Sequence, residues 1–207
     1  MNGDFTTERF NVPKLEALDH LRAKGLTIGV HWWATSRATR VPARPRTVPG
    51  KAAGKTLAPT LVDFDVAVRQ SGLVSASTAK KIPGGTGLAA ALPRASALNR
   101  VLANEFRDLD VIFVDPDTGV SPRFSPAYIT PDEIALIVAR HHALVYHHYR
   151  QVSRGTAADR LRQALERFDD VSLWSRSGAE CLLVWVPRQR SRTARRFRPP
   201  GLHWVEV

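Results

Sequence analysis

The stretch Asp110-Val-Ile-Phe-Val-Asp-Pro-Asp-Thr-Gly119 is the clearest indication of fold class in this sequence. Four apolar residues, Val111 to Val114, run directly into an acidic, turn-forming cluster. A short apolar run bounded by turn residues is typical of a strand buried on both faces of a sheet. In open α/β sheets, ligands bind outside the carboxyl ends of the strands. Asp115 and Asp117 therefore mark a candidate site; an Asp-Pro-Asp-x-Gly turn that simply closes a core strand is the alternative.

Helices and strands alternate on both sides of this stretch. Apolar spacing predicts helices over residues 10–24, 61–73, 93–107, 130–140 and 157–168, and strands over residues 26–33, 111–114, 143–147, 171–175, 181–186 and 202–207. Residues 80–88 form a short strand or a glycine-rich loop. Thr130-Pro-Asp-Glu133 is a capping box with proline at the first helical position. We therefore expect one α/β domain over residues 1–207, a Rossmann-like three-layer domain whose mostly parallel sheet ends in a C-terminal antiparallel hairpin.

The composition fits a cytoplasmic protein. The 207 residues are 43% hydrophobic, enough for a substantial core. The single cysteine, Cys181, excludes an internal disulfide and favours a reducing compartment. No apolar run approaches the roughly 20 residues that a membrane-spanning helix needs. Residues 1–10 do not resemble a signal peptide, so we expect no contact with a membrane.

The net charge of +11 is concentrated in two segments. A flexible loop at about residues 36–59 and a hairpin connection at about residues 188–200 contain 12 of the 30 basic residues and no acid. Removing these 12 leaves 18 basic residues against 19 acidic ones. Such segments are the electrostatic footprint of nucleic-acid binding, and a solvated basic loop without a partner is the alternative. The candidate phosphate contacts are Arg44, Arg46, Arg192, Arg195 and Arg196.

A second strand end is rich in polar side chains, within Leu144-Val-Tyr-His-His-Tyr-Arg150. Strand alternation places His147 and Tyr149 on one face and His148 and Arg150 on the other. If this strand lies beside residues 111–114, as successive βαβ strands usually do, its end neighbours the two carboxylates. Carboxylates beside His147 suit an acid–base pair or a divalent-metal site. A histidine pair at a solvated strand end is the alternative.

The candidate residues fall into two groups. The catalytic candidates are Asp115, Asp117 and His147. The substrate-binding candidates are Tyr146, His148, Arg150, Trp32 and Trp33, because aromatic rings stack on bases and arginine holds phosphates. For the tryptophan pair, burial in the core is the competing interpretation. His141 and His142 are expected to complement the negative end of the capped helix.

Three segments together resemble an uncharacterised bacterial family: Gly29-Val-His-Trp-Trp33, Asp115-Pro-Asp-Thr-Gly119 and Tyr146-His-His-Tyr-Arg150. Members of that family carry a G-V-x-W-[WY] strand, a D-P-D-N-G strand end and a Y-x-H-x-x-R-like strand end. The arrangement also resembles the S-adenosylmethionine-dependent methyltransferase fold, in particular the adenine-N6 methyltransferases of large-subunit ribosomal RNA. There a D-P-P-[YF] turn ends the fourth strand, and an aromatic-rich strand follows one helix later. Asp115-Pro116 matches the first half of that turn, and Asp117-Thr118 replaces the second half.

These observations lead to three expectations of function. The resemblance implies a methyltransferase that modifies nucleic acid or a nucleotide with S-adenosylmethionine as cofactor, in which Asp115 accepts a hydrogen bond from the target amine. The strand-end residues alone also fit a phosphoesterase or nuclease that uses Asp115, Asp117, His147 and a divalent metal. The third is a non-catalytic nucleic-acid-binding protein that kept the fold and lost the cofactor site.

Overall fold

The computed structural model describes residues 11–33, 74–77, 88–116, 118–125, 127–149, 152–176, 180–189, 197–199 and 204–207. Within them the helices are α1 (Asn11–Ala23), α2 (Leu88–Asn104), α3 (Pro131–Val138) and α4 (Arg154–Ala164). The strands are β1 (Ile28–Trp33), β2 (Val74–Ser77), β3 (Val111–Pro116), β4 (Gly119–Val120), β5 (Tyr128–Ile129), β6 (His142–His148), β7 (Ser172–Arg176), β8 (Cys181–Val186) and β9 (Trp204–Glu206). The predicted helix over 61–73, the segment 80–87 and the basic loop at 36–59 lie outside the described residues.

Seven of these strands form one mixed sheet, in the order β2-β1-β3-β6-β8-β7-β9. β2, β1, β3 and β6 are parallel neighbours. β8 runs antiparallel to both β6 and β7, and β9 runs antiparallel to β7. β4 and β5 form a separate pair. The protein is therefore a mixed α/β protein.

The central pair of strands is the pair that the sequence predicted. β3 and β6 are adjacent and parallel, with Val111 opposite His142 and Val114 opposite Val145. α3 lies between them in the chain. The predicted β3–α3–β6 unit is confirmed, and it brings the carboxyl ends of both strands to one edge of the sheet.

The C-terminal strands pair differently from the expected hairpin. The sequence predicted that residues 181–186 and 202–207 pair with each other, but β7 lies between β8 and β9 and pairs with both. Only residues 177–180 separate β7 from β8, so these two strands form the local pair, while β6 occupies the other edge of β8. β9 therefore joins the remaining edge of β7, and the basic segment at 188–200 connects strands that are not neighbours.

The sheet separates two apolar clusters, which we call the α2–α4 face and the α1 face after the helices that contribute to each. Alternation divides β3 between them. Ile112 and Val114 belong to the α2–α4 face, and Val111 and Phe113 belong to the α1 face. All six residues of β3 are buried, which confirms the expected strand with two buried faces. The α1 face also buries Trp174, Trp185, Trp204 and Cys181.

Helix α3 begins at the predicted capping box. The Thr130 hydroxyl accepts a hydrogen bond from the N–H of Glu133, and the Glu133 carboxylate accepts one from the N–H of Thr130. The helix ends at Val138, two residues earlier than predicted. Within the described residues, no helix has both the length and the apolar character needed to cross a membrane.

The two histidines after α3 do not complement its dipole as expected. Nδ1 of His141 lies 2.7 Å from the carbonyl oxygen of Leu109, and Nδ1 of His142 accepts a hydrogen bond from the N–H of Arg188 at 2.9 Å. Burial lowers the pKa of both imidazoles. Their Nδ1 atoms contact Leu109 and Arg188 rather than the carbonyl groups at the end of α3.

Candidate functional site at the carboxyl ends of β3 and β6

The carboxylate of Asp115 is buried at the end of β3 and forms an ion pair with Lys14 of α1. Nζ of Lys14 donates to Oδ2 of Asp115 at 2.8 Å, and the two side chains are only 8% and 2% exposed. Asp115 follows Phe113 by two residues, so its side chain projects on the α1 face. α1 thus places a cation directly over the strand end that the sequence marks as a candidate site.

Tyr146 and His148 extend this site along β6. Nζ of Lys14 lies 4.4 Å from the centroid of the Tyr146 ring, a cation–π geometry. The Tyr146 ring meets the edge of His148 with centroids 4.8 Å apart. Tyr146 is fully buried and His148 is partly exposed. Four residues from α1, β3 and β6 therefore form one polar cluster, with its open side at His148.

The same cluster reaches β8 and β7. Burial raises the pKa of the Cys181 thiol, although a hydrogen bond with Tyr146 and the charges of Lys14 and Arg176 act in the opposite direction. Arg176 donates two hydrogen bonds to the carboxylate of Glu16, at 2.9 and 3.1 Å. α1 therefore contributes an acid and a base, and each pairs with a residue of the sheet.

His147 lies on the other face, away from Asp115. Ala143 and Val145, which alternate with it along β6, belong to the α2–α4 face. Nδ1 of His147 accepts a hydrogen bond from the N–H of Val120 at 3.1 Å, and burial lowers its pKa to about 4. The expected neighbourhood of Asp115 and His147 is therefore not formed, because strand alternation sends the two side chains to opposite sides of the sheet. The expected separation of His147 and Tyr149 from His148 matches the structure.

Gly119 explains how the strand-end turn reaches His147. Its φ is +132°, a conformation that L side chains rarely adopt. A Cβ at this position would also collide with Nδ1 of His147. The turn is secured by the N–H of His148, which donates to the carbonyl oxygen of Thr118 at 3.0 Å. Glycine is therefore required where β4 passes the end of β6.

The other candidates are only partly placed. In the parallel pairing of β1 with β3, Trp32 is the partner of Asp115 and Trp33 is the partner of Pro116. The backbone of both tryptophans therefore lies beside the strand end that carries the candidate site. The remaining candidates lie outside the described residues: Asp117, Arg150, Arg44, Arg46, Arg192, Arg195 and Arg196.

A second buried ion pair supports the loop that follows the turn. Arg94 of α2 donates to Glu133 from Nε at 2.5 Å and from Nη2 at 2.6 Å. It also donates to the carbonyl oxygens of Ser125 and Tyr128, at 2.8 and 2.9 Å. Its guanidinium lies 4.2 Å from the centroid of the Phe124 ring. This network fixes the segment between β4 and α3.

Sequence reasoning missed Lys14. A signal was present, because Lys14 precedes Leu18 by four residues and Leu21 by seven, which places it on the buried stripe of α1. A lysine at a core position of an amphipathic helix requires a buried partner. The partner itself lies 101 residues away in the sequence, so its identity depends on the fold.

The described residues contain no group of three or more His, Cys, Asp or Glu side chains arranged to hold a metal ion. The metal-dependent alternative needs Asp115, Asp117 and His147 together. Asp115 and His147 are on opposite faces, and Asp117 is outside the described residues. That alternative therefore has no geometric support in the described part of the chain.

The chain matches no protein-family model, and no curated protein is significantly similar to it. Its function must therefore be inferred from the site and the sheet.

Proposed function

We propose that this protein is a methyltransferase-like enzyme that modifies nucleic acid or a nucleotide, built as a Rossmann-like three-layer domain. The observation that carries the proposal is the position of Asp115-Pro116 at the end of β3, beside Tyr146 in the last part of β6. This edge of an open α/β sheet is where ligands bind. In the methyltransferases that the sequence resembles, the acidic turn and the aromatic strand stand in the same relation.

The strand order supports the same class. The antiparallel strand β8 is inserted between β6 and β7, which are parallel to each other. Mixed sheets of this kind are common among doubly wound α/β folds, the class to which a Rossmann-like domain belongs. Residues of α2, α3 and α4 pack on one face and residues of α1 pack on the other, as a three-layer domain requires.

In the proposed reaction, Asp115 positions the amine that is modified. Lys14 holds Oδ2, which leaves Oδ1 as the acceptor for an N–H of the target amine. That hydrogen bond would orient the nitrogen lone pair; methyl transfer from a bound S-adenosylmethionine would break its sulfonium S–C bond, and the proton of the amine would pass to solvent. Tyr146 and His148 supply aromatic surface beside the acceptor. S-adenosylmethionine, when bound, supplies an electrophilic methyl group.

The described residues do not themselves form a cradle for that cofactor. A Cβ at Gly29 would approach side-chain atoms of Leu109 and Phe106 to 2.8 and 2.9 Å, so the glycine of β1 serves packing with the residues that lead into β3. A cytoplasmic location fits this proposal, because the cofactor and nucleic acids are both found there.

The burial of the Lys14–Asp115 pair favours a second candidate function. A carboxylate that is 2% exposed and already bound to an ammonium group is accessible to a substrate only if α1 moves. A protein that binds nucleic acid without catalysis needs no such movement. In that case the strand-end turn has kept its place in the fold and serves packing alone.

Two measurements distinguish these candidates. Calorimetric titration with S-adenosylmethionine, followed by Mg²⁺ and Mn²⁺, is expected to show one cofactor site and no requirement for metal. Transfer of a labelled methyl group to total RNA or DNA is expected to fall at least ~100-fold in Asp115→Asn, the scale of removing a key polar interaction with the reacting group. Asp159→Asn is the matched control, because its carboxylate forms an exposed ion pair on α4.

The proposal fails if the protein does not bind S-adenosylmethionine. Nucleic-acid binding without cofactor binding would favour the non-catalytic candidate. Metal binding that depends on Asp115 and Asp117 would favour the phosphoesterase.

A further inference from the structure

The ammonium group of Lys14 lies between two groups that recognise amines. Its Nζ is 2.8 Å from Oδ2 of Asp115 and 4.4 Å from the centroid of the Tyr146 ring. A carboxylate binds an ammonium group through charge-assisted hydrogen bonds, and the face of an aromatic ring attracts the same positive charge. The two side chains come from the neighbouring strands β3 and β6. They form a site for an amine, which we call the Asp115–Tyr146 subsite, and Lys14 fills it.

Lys14 also closes this subsite. Asp115 and Tyr146 are both buried, so a molecule in solution reaches neither of them while α1 is in place. Lys14 is buried with them. His148, whose ring centroid is 4.8 Å from that of Tyr146, is partly exposed and lies on the open side of the subsite. The structure therefore shows the site occupied by a side chain of the same protein.

Helix α1 is attached to the sheet by different interactions at its two ends. Its first half is held by two ion pairs, with Asp115 of β3 and with Arg176 of β7. Its second half buries Leu18 and Leu21 in the apolar cluster of the α1 face. Ion pairs contribute little net stability, whereas burial of apolar side chains is the main stabilising contribution to folding. The first half of α1 therefore separates from the sheet at a lower cost in free energy than the second.

The residues after α1 fix its second end to the sheet. Gly25, which follows the helix, has a φ of +77°. The N–H and the hydroxyl of Thr27 each donate to Oδ2 of Asp110 at 2.8 Å, and the N–H of Asp110 donates to the Thr27 hydroxyl at 3.0 Å. Asp110 immediately precedes β3, so these bonds join the end of α1 to the start of that strand. Movement about this fixed end takes Lys14 away from the subsite.

We propose that Lys14 is an internal occupant of the Asp115–Tyr146 subsite, and that a substrate amine enters when the first half of α1 moves away and takes Lys14 with it. The departure of Lys14 opens both oxygens of Asp115 and the face of Tyr146. The ligand class is an amine attached to a planar ring, because its N–H donates to the carboxylate while the ring stacks on the tyrosine. The inference rests on the function proposed above, since it takes Asp115 as the acceptor for the substrate amine.

An internal occupant makes substrate affinity depend on how often α1 is open. The apparent dissociation constant equals the intrinsic one divided by the fraction of molecules that are open. A substitution that weakens the hold of α1 therefore strengthens the binding of the substrate amine. An ion pair with a purely structural role predicts the opposite, because loss of structure beside the site weakens binding or leaves it unchanged.

The first test replaces the internal amine by an external one. Lys14→Ala removes three carbons and the ammonium group, which together correspond to n-propylammonium. At about ten times its dissociation constant, this amine is expected to raise the melting temperature of Lys14→Ala by about 4 °C. n-Propanol, which has the same size and no charge, is expected to give no stabilisation, and Lys14→Ala/Asp115→Asn is expected not to respond to the amine. Equal responses of Lys14→Ala to the amine and to the alcohol would overturn the proposed subsite.

The second test keeps Lys14 and Asp115 and loosens α1. Glu16→Gln removes the partly exposed ion pair with Arg176. Asp19→Asn is the matched control, because it removes the same charge from an exposed position of the same helix. Calorimetry compares adenosine and cytidine, which carry an exocyclic amine, with inosine and uridine, which do not. Glu16→Gln is expected to bind one of the amino nucleosides about threefold more tightly than the wild type, on the scale of one such ion pair.

The control and the ligand pairs define what would contradict the second test. Asp19→Asn is expected to bind like the wild type. Equal affinities for amino and oxo nucleosides, or no gain in affinity for Glu16→Gln over Asp19→Asn, would overturn the proposal. If Lys14→Ala does not fold, this comparison decides alone.

The amine subsite and the proposed enzyme can fail separately. A response of Lys14→Ala to n-propylammonium, in a protein that does not bind S-adenosylmethionine, would keep the subsite and reject the enzyme. Binding of S-adenosylmethionine with methyl transfer, but without any gain in affinity for Glu16→Gln, would keep the enzyme and reject Lys14 as an internal occupant.

Discussion

The two buried ion pairs differ in how completely their polar atoms are satisfied. The Glu133 carboxylate accepts from Arg94 twice and from the N–H and hydroxyl of Thr130, and Arg94 also binds two backbone carbonyls. Within the described part of the chain, Lys14 and Asp115 share one hydrogen bond, although an ammonium group has three donors and a carboxylate about four acceptor sites.

That difference separates a structural pair from a candidate functional one. A buried ion pair adds little net stability unless additional hydrogen bonds satisfy its atoms. The Arg94–Glu133 pair meets this condition and fixes a loop. Among the described residues the Lys14–Asp115 pair does not meet it, and this pair lies at the edge of the sheet where ligands bind.

The largest effect is expected for Glu133→Gln. This change leaves the guanidinium of Arg94 buried without its counter-ion, and arginine cannot escape by losing a proton. Breaking a buried pair from one side costs about 3–5 kcal/mol of unfolding free energy, and urea denaturation measures it. Glu166→Gln is the exposed control and is expected to change stability by less than about 0.5 kcal/mol. A loss for Glu133→Gln as small as the control's would show that the network is not structural.

A smaller loss, about 3 kcal/mol at neutral pH, is expected for Asp115→Asn. A substitution at an exposed surface aspartate would change stability by about 0.5 kcal/mol or less, but Asp115 forms a buried ion pair. Urea denaturation at neutral pH measures this loss beside that of Glu133→Gln. A larger loss for Asp115→Asn than for Glu133→Gln would contradict the comparison.

Replacement of Gly119 tests whether the turn beside Asp115 is held in a fixed conformation. Gly119→Ala is expected to cost about 2–3 kcal/mol, because its φ is +132° and the new Cβ would meet His147. Gly155→Ala is the matched control, since a Cβ there meets nothing within 4 Å and the residue lies in α4. That control should stabilise the protein by about 0.4–1 kcal/mol. Equal effects of the two substitutions would mean that the turn is pliable.

The pH dependence of stability gives the smallest effect, and it arises on the face opposite Asp115. The pKa of His147 falls from 6.5 to about 4 on folding, because burial disfavours the charged ring. Below pH 6.5 the imidazole of His147 is protonated in the unfolded chain but stays neutral in the folded protein. The contribution of His147 to the free energy of unfolding is therefore complete above pH 6.5 and is lost as the pH falls towards 4. The loss between pH 7 and 5 is about 2 kcal/mol. His147→Gln should remove that part of the pH dependence in urea denaturation, and an unchanged profile would contradict the assignment.

The features that the sequence predicted correctly depend on local signals. The buried strand at Val111–Val114 and the capping box at Thr130 each depend on residues only a few positions apart in the sequence. The pairing of Lys14 with Asp115 joins residues 101 positions apart, and no local pattern identifies it. Alternation and the parallel register together put His147 on the face opposite Asp115, and the register is known only from the structure.

The pairing of the last three strands, β7, β8 and β9, depends on which edges of neighbouring strands are available. The sequence identified residues 181–186 and 202–207 as strands, and the segment between them suggested a hairpin. β7 is close to β8 along the chain and pairs with one edge of β8, while β6 pairs with the other edge. Strand propensity locates each strand, but the available edges determine its neighbours.

The accessibility of the buried Cys181 thiol can report when α1 separates from the sheet. This is the chain's single cysteine, fully buried beside Tyr146 and Lys14. A thiol reagent can reach it only when α1 separates from the sheet or the whole protein unfolds. The rate at which a reagent labels Cys181 in native buffer therefore measures how often α1 separates from the sheet beside Asp115. A labelling rate faster than global unfolding would show that α1 moves while the rest of the protein stays folded. That is the movement that a substrate of Asp115 needs, and the experiment requires no knowledge of the substrate.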